Sequence, residues 1–207
     1  MKNNDILKQL NQSKKKTLTK AFIQGRIKAI DFGKDCQVID MGEGGIVIGD
    51  WEEIKLALET FSDVIEKVHI ENDRRNSLIN LLDTKDINAR IEPGAVIREG
   101  VKIGDAAVVM MGACVNIGVS IGSKTLIDMN AVIGGGAQIG AGCHIGAGVV
   151  IKGVISSPDA EPVVIGDGVI IGPNAVIMEN VVIGDGAVIR AGAIVSKNIG
   201  EGEVFPK

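Results

Sequence analysis

The sequence predicts a mainly β protein, a parallel β-helix of hexapeptide repeats preceded by a small α/β domain. Two patterns and one compositional fact predict it. From residue 91 onward an aliphatic side chain opens every sixth position without a miss: Ile91, Ile97, Ile103, Val109, Val115, Ile121, Ile127, Ile133, Ile139, Ile145 and Ile151. After an interruption the step resumes at Ile165, Ile171, Ile177, Ile183, Ile189 and Val195. The fifth residue of each unit is small or β-branched, as at Ala107, Ala113, Thr125, Ala131 and Cys143. The composition agrees: 28 Gly, no Tyr and 2% aromatics in a 207-residue chain that is 45% apolar. Stacked coils with one repeated cross-section need such uniform small filling.

Alternation along a strand turns residues one and five inward and leaves residue six outward, next to the corner. The corners recur too fast for crossover helices, and Gly or Asn supplies the backbone freedom there. Three six-residue faces give an 18-residue coil, and about six coils at ~4.8 Å each make a prism ~29 Å tall. Its interior is dry, so chemistry belongs on an outer wall. Between Ile151 and Ile165 the spacing is fourteen rather than twelve, and a loop over about 154–164 carries Pro158 and Pro162.

Residues 1–88 read differently and form the smaller domain, with the join at Asp83 to Asn88; 89–207 form the repeat. Ile6, Leu7 and Leu10 suggest a short helix, and CQVIDMGEGGIVIGD two strands around a Gly-rich turn. DWEEIKLALETF fits a helix capped by Asp50 with Glu52 and Glu53 in its first turn, and DVIEKVHI a further strand. His69 in that strand reads as a structural or surface residue.

The formal charge of −4 gives no general attraction to phosphate backbones, so nucleic acid is not an expected partner. The Lys14–Lys16 run is too short for a polybasic arm. MKNNDILKQL lacks an apolar signal core and no long apolar stretch follows; the expectation is a cytoplasmic protein without membrane insertion. Cys36, Cys114 and Cys143 have neither paired spacing nor a His cluster; they are expected as small core residues, not zinc ligands.

Some residues exceed what the repeat requires. At the second hexad position, Arg98, Asn116, Gly134 and Lys152 are expected to stack along one edge, and Glu92, Met110, Asp128 and Gly146 along another. Arg and Asn can grip carboxylates, and Gly admits a ligand to the backbone; a solvated edge or a subunit contact is the plainer alternative. His144, at an outward corner in a repeat with no other His, has an imidazole suited to taking a proton near neutral pH. Asp128 could orient it, act as base or bind an amine, although the two are expected on different edges. Glu99 is a further catalytic candidate.

The segments NDRRNS (72–77), NARIEPGAVIRE (88–99), VVMMGACVNIG (108–118), IDMNAVIGG (127–135) and GVISSPDAEPVVIGDGVIIGPNAVI (153–177) closely resemble the tetrahydrodipicolinate N-acetyltransferases. That resemblance implies a left-handed β-helix, a homotrimer, and acetyl transfer from acetyl-CoA to ring-opened tetrahydrodipicolinate in the diaminopimelate branch of lysine synthesis, with no metal. It implies a corner His as base, which points to His144. A dicarboxylate acceptor gives Arg74, Arg75, Arg98, Asn116 and Asn130 a task, and CoA in a groove between neighbouring β-helices would meet Lys152, Gly153, Ala175, Arg190 and Ala193. The family continues past AGAIVSKNI into a further coil and helix that help bind CoA, whereas this sequence ends in GEGEVFPK, so a weakened CoA site is expected. Two other readings compete: a hexapeptide enzyme acting on an amino sugar or amino acid, and a catalytically impaired β-helix. An ice-binding ladder would want more Thr than Thr125, and a zinc hydratase three His where the chain has two.

Overall fold

The computed structural model describes residues 8, 10, 12–154 and 160–206. The helix expected around Ile6 and Leu7 lies outside the described residues. The chain divides into two compact units, one of residues 13–78 and one built mainly of 79–207.

In the first unit, β1 (Leu18–Gly25), β2 (Gln37–Asp40), β3 (Gly44–Asp50) and β4 (Ile65–Asn72) form an antiparallel sheet in the order β2-β3-β1-β4. Helix α1 (Trp51–Thr60) buries Ile54 and Ala57. β1 went unread in the sequence because its inward residues, Thr19, Ala21, Ile23 and Gly25, are mostly small, so its alternation carries little hydrophobic contrast. Asp50 is the N-cap residue of α1 but does not cap it with its side chain; instead its carboxylate accepts a hydrogen bond from Thr17 N at 3.0 Å.

The second unit is a parallel β-helix. One face comprises β5 (Arg90–Ile91), β8 (Val108–Val109), β11 (Leu126–Ile127), β14 (His144–Ile145), β17 (Ile170–Ile171), β20 (Val188–Ile189) and β22 (Val204–Phe205). The next has β6 (Val96–Ile97), β9 (Cys114–Val115), β12 (Val132–Ile133), β15 (Val150–Ile151), β18 (Val176–Ile177) and β21 (Ile194–Val195). The third has β7 (Lys102–Ile103), β10 (Ser120–Ile121), β13 (Gln138–Ile139), β16 (Val164–Ile165) and β19 (Val182–Ile183). Residues 79–88, assigned in the sequence to the smaller domain, belong to this unit: Leu82 N donates to Ile97 O, and Glu99 N to Asn80 O.

First- and fifth-position residues fill the core. The buried hydroxyl of Thr125 is satisfied, because Thr125 Oγ1 donates to Gly140 O (2.7 Å) and accepts from Cys143 N (3.0 Å). Each strand is only residues six and one, and the corner turns on residues three and four. Residue four is left-handed in all coils but those of Val154 and Asn198, and not only at Gly: Ala106 (φ 56°), Lys124 (59°) and Asn130 (58°) hold it too. Ile139 pairs with Ile165, twenty-six residues on rather than eighteen, so the interruption inserts eight residues and not the two counted along the sequence. Val154 and Ala160, at its ends, bury Ile117 with Ile79.

The cysteines divide. Cys143 is in the core and donates to Gly166 O at 3.0 Å, and burial raises its pKa. Burial first, then its bond to the Glu53 carboxylate, pushes Cys36 up to about 11. Cys114 departs from the expectation: it is exposed, because it occupies the outward sixth position.

Two predictions follow from the packing. A Cβ on Gly122 would lie 2.4 Å from the backbone of Gly140, whereas one on Gly142 (φ 65°) meets nothing within 4 Å. In urea melts Gly142→Ala should cost ~1–2 kcal/mol for its left-handed backbone, and Gly122→Ala ~3 kcal/mol because a neighbouring coil must shift; equal losses would refute the coil contact. At pH 8 a thiol reagent should modify Cys114 at least tenfold faster than Cys36 or Cys143, since a thiol with pKa about 11 is ionised in on the order of one molecule per thousand.

Candidate active site

His144 is the sixth residue of its hexad and sits on β14, in the middle of a face rather than at a corner. Leu126 and Ile170 flank it on the coils below and above. Its neighbour on the coil below is fixed by the ladder: because Leu126 pairs with His144, Asp128 lies two residues along the adjacent strand, with Asp128 N bonded to Ile145 O. The two side chains therefore share one face. His144 Nε2 is 3.6 Å from Asp128 Oδ2, with side chains 50% and 25% exposed. The expectation of different edges is overturned, since an eighteen-residue coil minus the two-residue offset makes 128 and 144 diagonal neighbours.

Asp128 is held for this contact. Its Oδ1 accepts the Met129 N–H at 2.7 Å, capping a corner amide and leaving Oδ2 for the imidazole. Asn116 does the same one corner away, accepting from Ile117 N at 2.9 Å. Thus the second hexad position, when it carries Asp or Asn, caps the amide of the third.

The column through Asp128 runs Glu92, Met110, Asp128, Gly146, as expected, and continues to Gly172 and Arg190. The third-position neighbours change in step from exposed Met111 and Met129 to Ala147, Pro173 and Ala191. The second and third positions are thus large at Met110, Met111 and Met129 and small at Gly146–Ala147 and Gly172, with Arg190 beyond. The glycines have a structural reason as well: a Cβ on Gly146 would lie 2.6 Å from Ile171 O. Ala147 has no side chain at position 146 to cap its N–H, and that N–H has no acceptor among the described residues. It is a donor free to meet a developing negative charge.

The other candidates are dispersed. Arg98, Asn116, Gly134 and Lys152 do stack in one column, each donating its N–H to the next coil. Lys152 Nζ is bonded to Glu179 at 2.9 Å, and that ammonium holds the Glu179 carboxyl below its usual range. Glu179 was not singled out in the sequence; it is found only by adding the inserted loop to the coil period. Gly153 packs against the Gly134–Gly135 backbone. Glu99 is exposed at the corner after β6, bonded by Asn80 Nδ2 at 3.4 Å, and the structure does not bring it to His144. Asn130 is exposed at a left-handed corner beside Met129. Arg190 is exposed, near the top of the Asp128 column.

Ala175 (0% exposed) and Ala193 (9%), at the fifth position, point their side chains into the core, and both carbonyls accept from neighbouring strands. Arg74 and Arg75 belong to the first unit; Arg74 grips Asp73 through two bonds of 2.6 and 2.8 Å, and its guanidinium lowers the Asp73 pKa, while Arg75 is exposed. No group of three His, Cys, Asp or Glu suited to a metal occurs among the described residues, and no helix there is long and apolar enough to cross a membrane.

Comparison with known proteins places this face in a family. Residues 1–84 match the family described as tetrahydrodipicolinate succinyltransferase N-terminal, and residues 118–153 and 162–197 match bacterial transferase hexapeptide (six repeats). A 2,3,4,5-tetrahydropyridine-2,6-dicarboxylate N-acetyltransferase of Brevibacillus brevis is 57% identical over 176 residues, 85% of this chain and 75% of that protein. The enzyme of the same name from Enterococcus faecalis is 58% identical over 84% of this chain and 75% of that protein. Among solved structures, a perosamine N-acetyltransferase from Caulobacter crescentus in complex with CoA and GDP-perosamine is 24% identical, with a TM-score of 0.47 over 60% of this chain and 53% of that one. On the identity and coverage of its relatives, the chain belongs to the 2,3,4,5-tetrahydropyridine-2,6-dicarboxylate N-acetyltransferase family of hexapeptide-repeat proteins.

Proposed function

We propose that the protein transfers the acetyl group of acetyl-CoA to the amine of ring-opened tetrahydropyridine-2,6-dicarboxylate, yielding N-acetyl-2-amino-6-oxopimelate in lysine synthesis through diaminopimelate. The observation that carries the reading is the His144–Asp128 pair, 3.6 Å apart on an otherwise inert wall, in a chain this similar to enzymes of that name. The amine nitrogen attacks the thioester carbon; His144 takes the amine proton as the bond forms, and the carbon–sulfur bond then breaks, the proton passing to the CoA sulfur. Asp128 Oδ2 stabilises the imidazolium formed between these events, and Ala147 N–H faces the carbonyl oxygen as it becomes negative. No covalent acyl-enzyme is required.

The same column favours acetyl over succinyl. Glu92, Met110, Gly146 and Gly172 are the nearest members around Asp128, and none is cationic. A succinyl carboxylate placed there would face the Asp128 carboxylate unpaired, whereas an acetyl methyl fits beside methionine. Arg98 and Asn116 are assigned to the acceptor carboxylates, with Asn130 as a further contact. Lys152, Gly153 and Arg190 are assigned to CoA. A site on an open wall needs a second wall to exclude water, which supports a homotrimer in which neighbouring β-helices enclose it. A cytoplasmic location fits these soluble substrates.

Thiol release from acetyl-CoA tests the proposal. Release should depend on the acceptor, fall sharply with succinyl-CoA, and drop at least 100-fold in kcat for His144→Ala, ~2.7 kcal/mol of barrier. Acceptor-independent release, or an undiminished His144→Ala variant, would refute it. Asp128→Asn keeps an acceptor for Met129 N–H and should leave stability within ~0.5 kcal/mol while slowing turnover, whereas Asp128→Ala should also cost ~1 kcal/mol in a urea melt.

A further inference from the structure

The sheet of residues 13–78 ends in two unlike edges. β2 is four residues long, and its last, Asp40, is held by Lys28 at 3.1 Å. β4 is eight residues long, pairs among the described residues only with β1, and is exposed at seven of its eight positions. It contains no Pro, one of the devices that ordinarily blunt an edge, and its charges, Glu66, Lys67 and Glu71, are of both signs. Val68 (44% exposed) and Ile70 (38%) lie opposite buried Ile23 and Ala21, on the core side of the sheet, yet remain this exposed among the described residues. Lys67, His69 and Glu71 share the other side, opposite Gln24, Phe22 and Lys20.

We propose that β4 is a self-pairing edge, its occupant the β4 of a second copy of this chain, joined antiparallel about a two-fold axis at His69. A two-fold perpendicular to the sheet keeps each residue on its own side, so opposed residues have the same parity. With His69 opposite its own copy, Val68 meets Ile70 of the second copy and covers it, Lys67 meets Glu71, and Glu66 meets Asn72. The apolar pair and the ion pair each form twice. Shifting the axis to Val68 would set Glu66 against Ile70 and lose the Lys67–Glu71 match. The contact is independent of the acetyl-transfer reading; joined to a trimeric β-helix it would link two trimers.

The test is a register-specific cross-link in the full chain carrying Cys114→Ser. Opposed residues of antiparallel strands have Cα atoms 4.5–5.5 Å apart, within disulfide reach, whereas residue 67 lies four positions from its own copy, ~13 Å away. Under mild oxidation His69→Cys should give two-chain products on non-reducing gels and Lys67→Cys should not. In sedimentation, Lys67→Glu and Glu71→Lys should each weaken association at least tenfold, and the double swap should restore it, which separates lost pairing from lost folding. Absence of the 69–69 cross-link, equal cross-linking at 67 and 69, or an assembly mass unchanged by the single swaps would overturn the proposal.

Discussion

Everything on the repeat depends on one constraint, the backbone register that lays each coil on the next. The second-position N–H of one coil donates to the first-position carbonyl of the coil above, from Glu92 to Val109 through Asp128 to Ile145 and Arg190 to Phe205. Parallel pairing in such short strands is weak singly, and closure of the triangle makes it cooperative, because a slip on one face would carry inward residues outward on all three. The dry aliphatic core follows from the register, and so do the columns of outward residues.

That constraint turns composition into chemistry. A wall with identical layers has no site, and function enters where a layer departs from the rule. Asp128 replaces a bare or inert second residue, His144 replaces an aliphatic sixth residue between Leu126 and Ile170, and the eighteen-residue coil makes them neighbours at 3.6 Å. The same step ends the run of methionines and begins the run of glycines, leaving Ala147 N–H uncapped. One polar residue thus has two tasks: Asp128 secures its own corner through Met129 and presents its second oxygen to the imidazole.

Much of this was legible in the sequence, because a six-residue period is insensitive to tertiary detail. The core positions and the columns follow from counting, which also singles out His144 and Asp128 as departures from the repeat. Their adjacency did not, because residue six was placed at a corner when it stands on the strand. β1 escaped because Thr19, Ala21 and Gly25 give no hydrophobic alternation. The size of the inserted loop was misjudged because length was compared along the chain, whereas the structure compares it across the ladder from Ile139 to Ile165. Left-handed backbone at Ala106 and Lys124 has no compositional cue, since the register imposes it against residue preference. The inward side chains of Ala175 and Ala193 follow from the phase of the repeat, which turns the fifth position to the core.

The central claim is that the acid–base pair and the uncapped corner beside it form the reacting surface. A crystal structure of the protein with CoA and an acceptor analogue tests it directly. The account predicts the CoA sulfur over Gly146–Ala147, within ~4 Å of the His144 ring, with an analogue carboxylate toward Arg98 or Asn116. A CoA sulfur lying on another face, remote from His144 and Asp128, would contradict it.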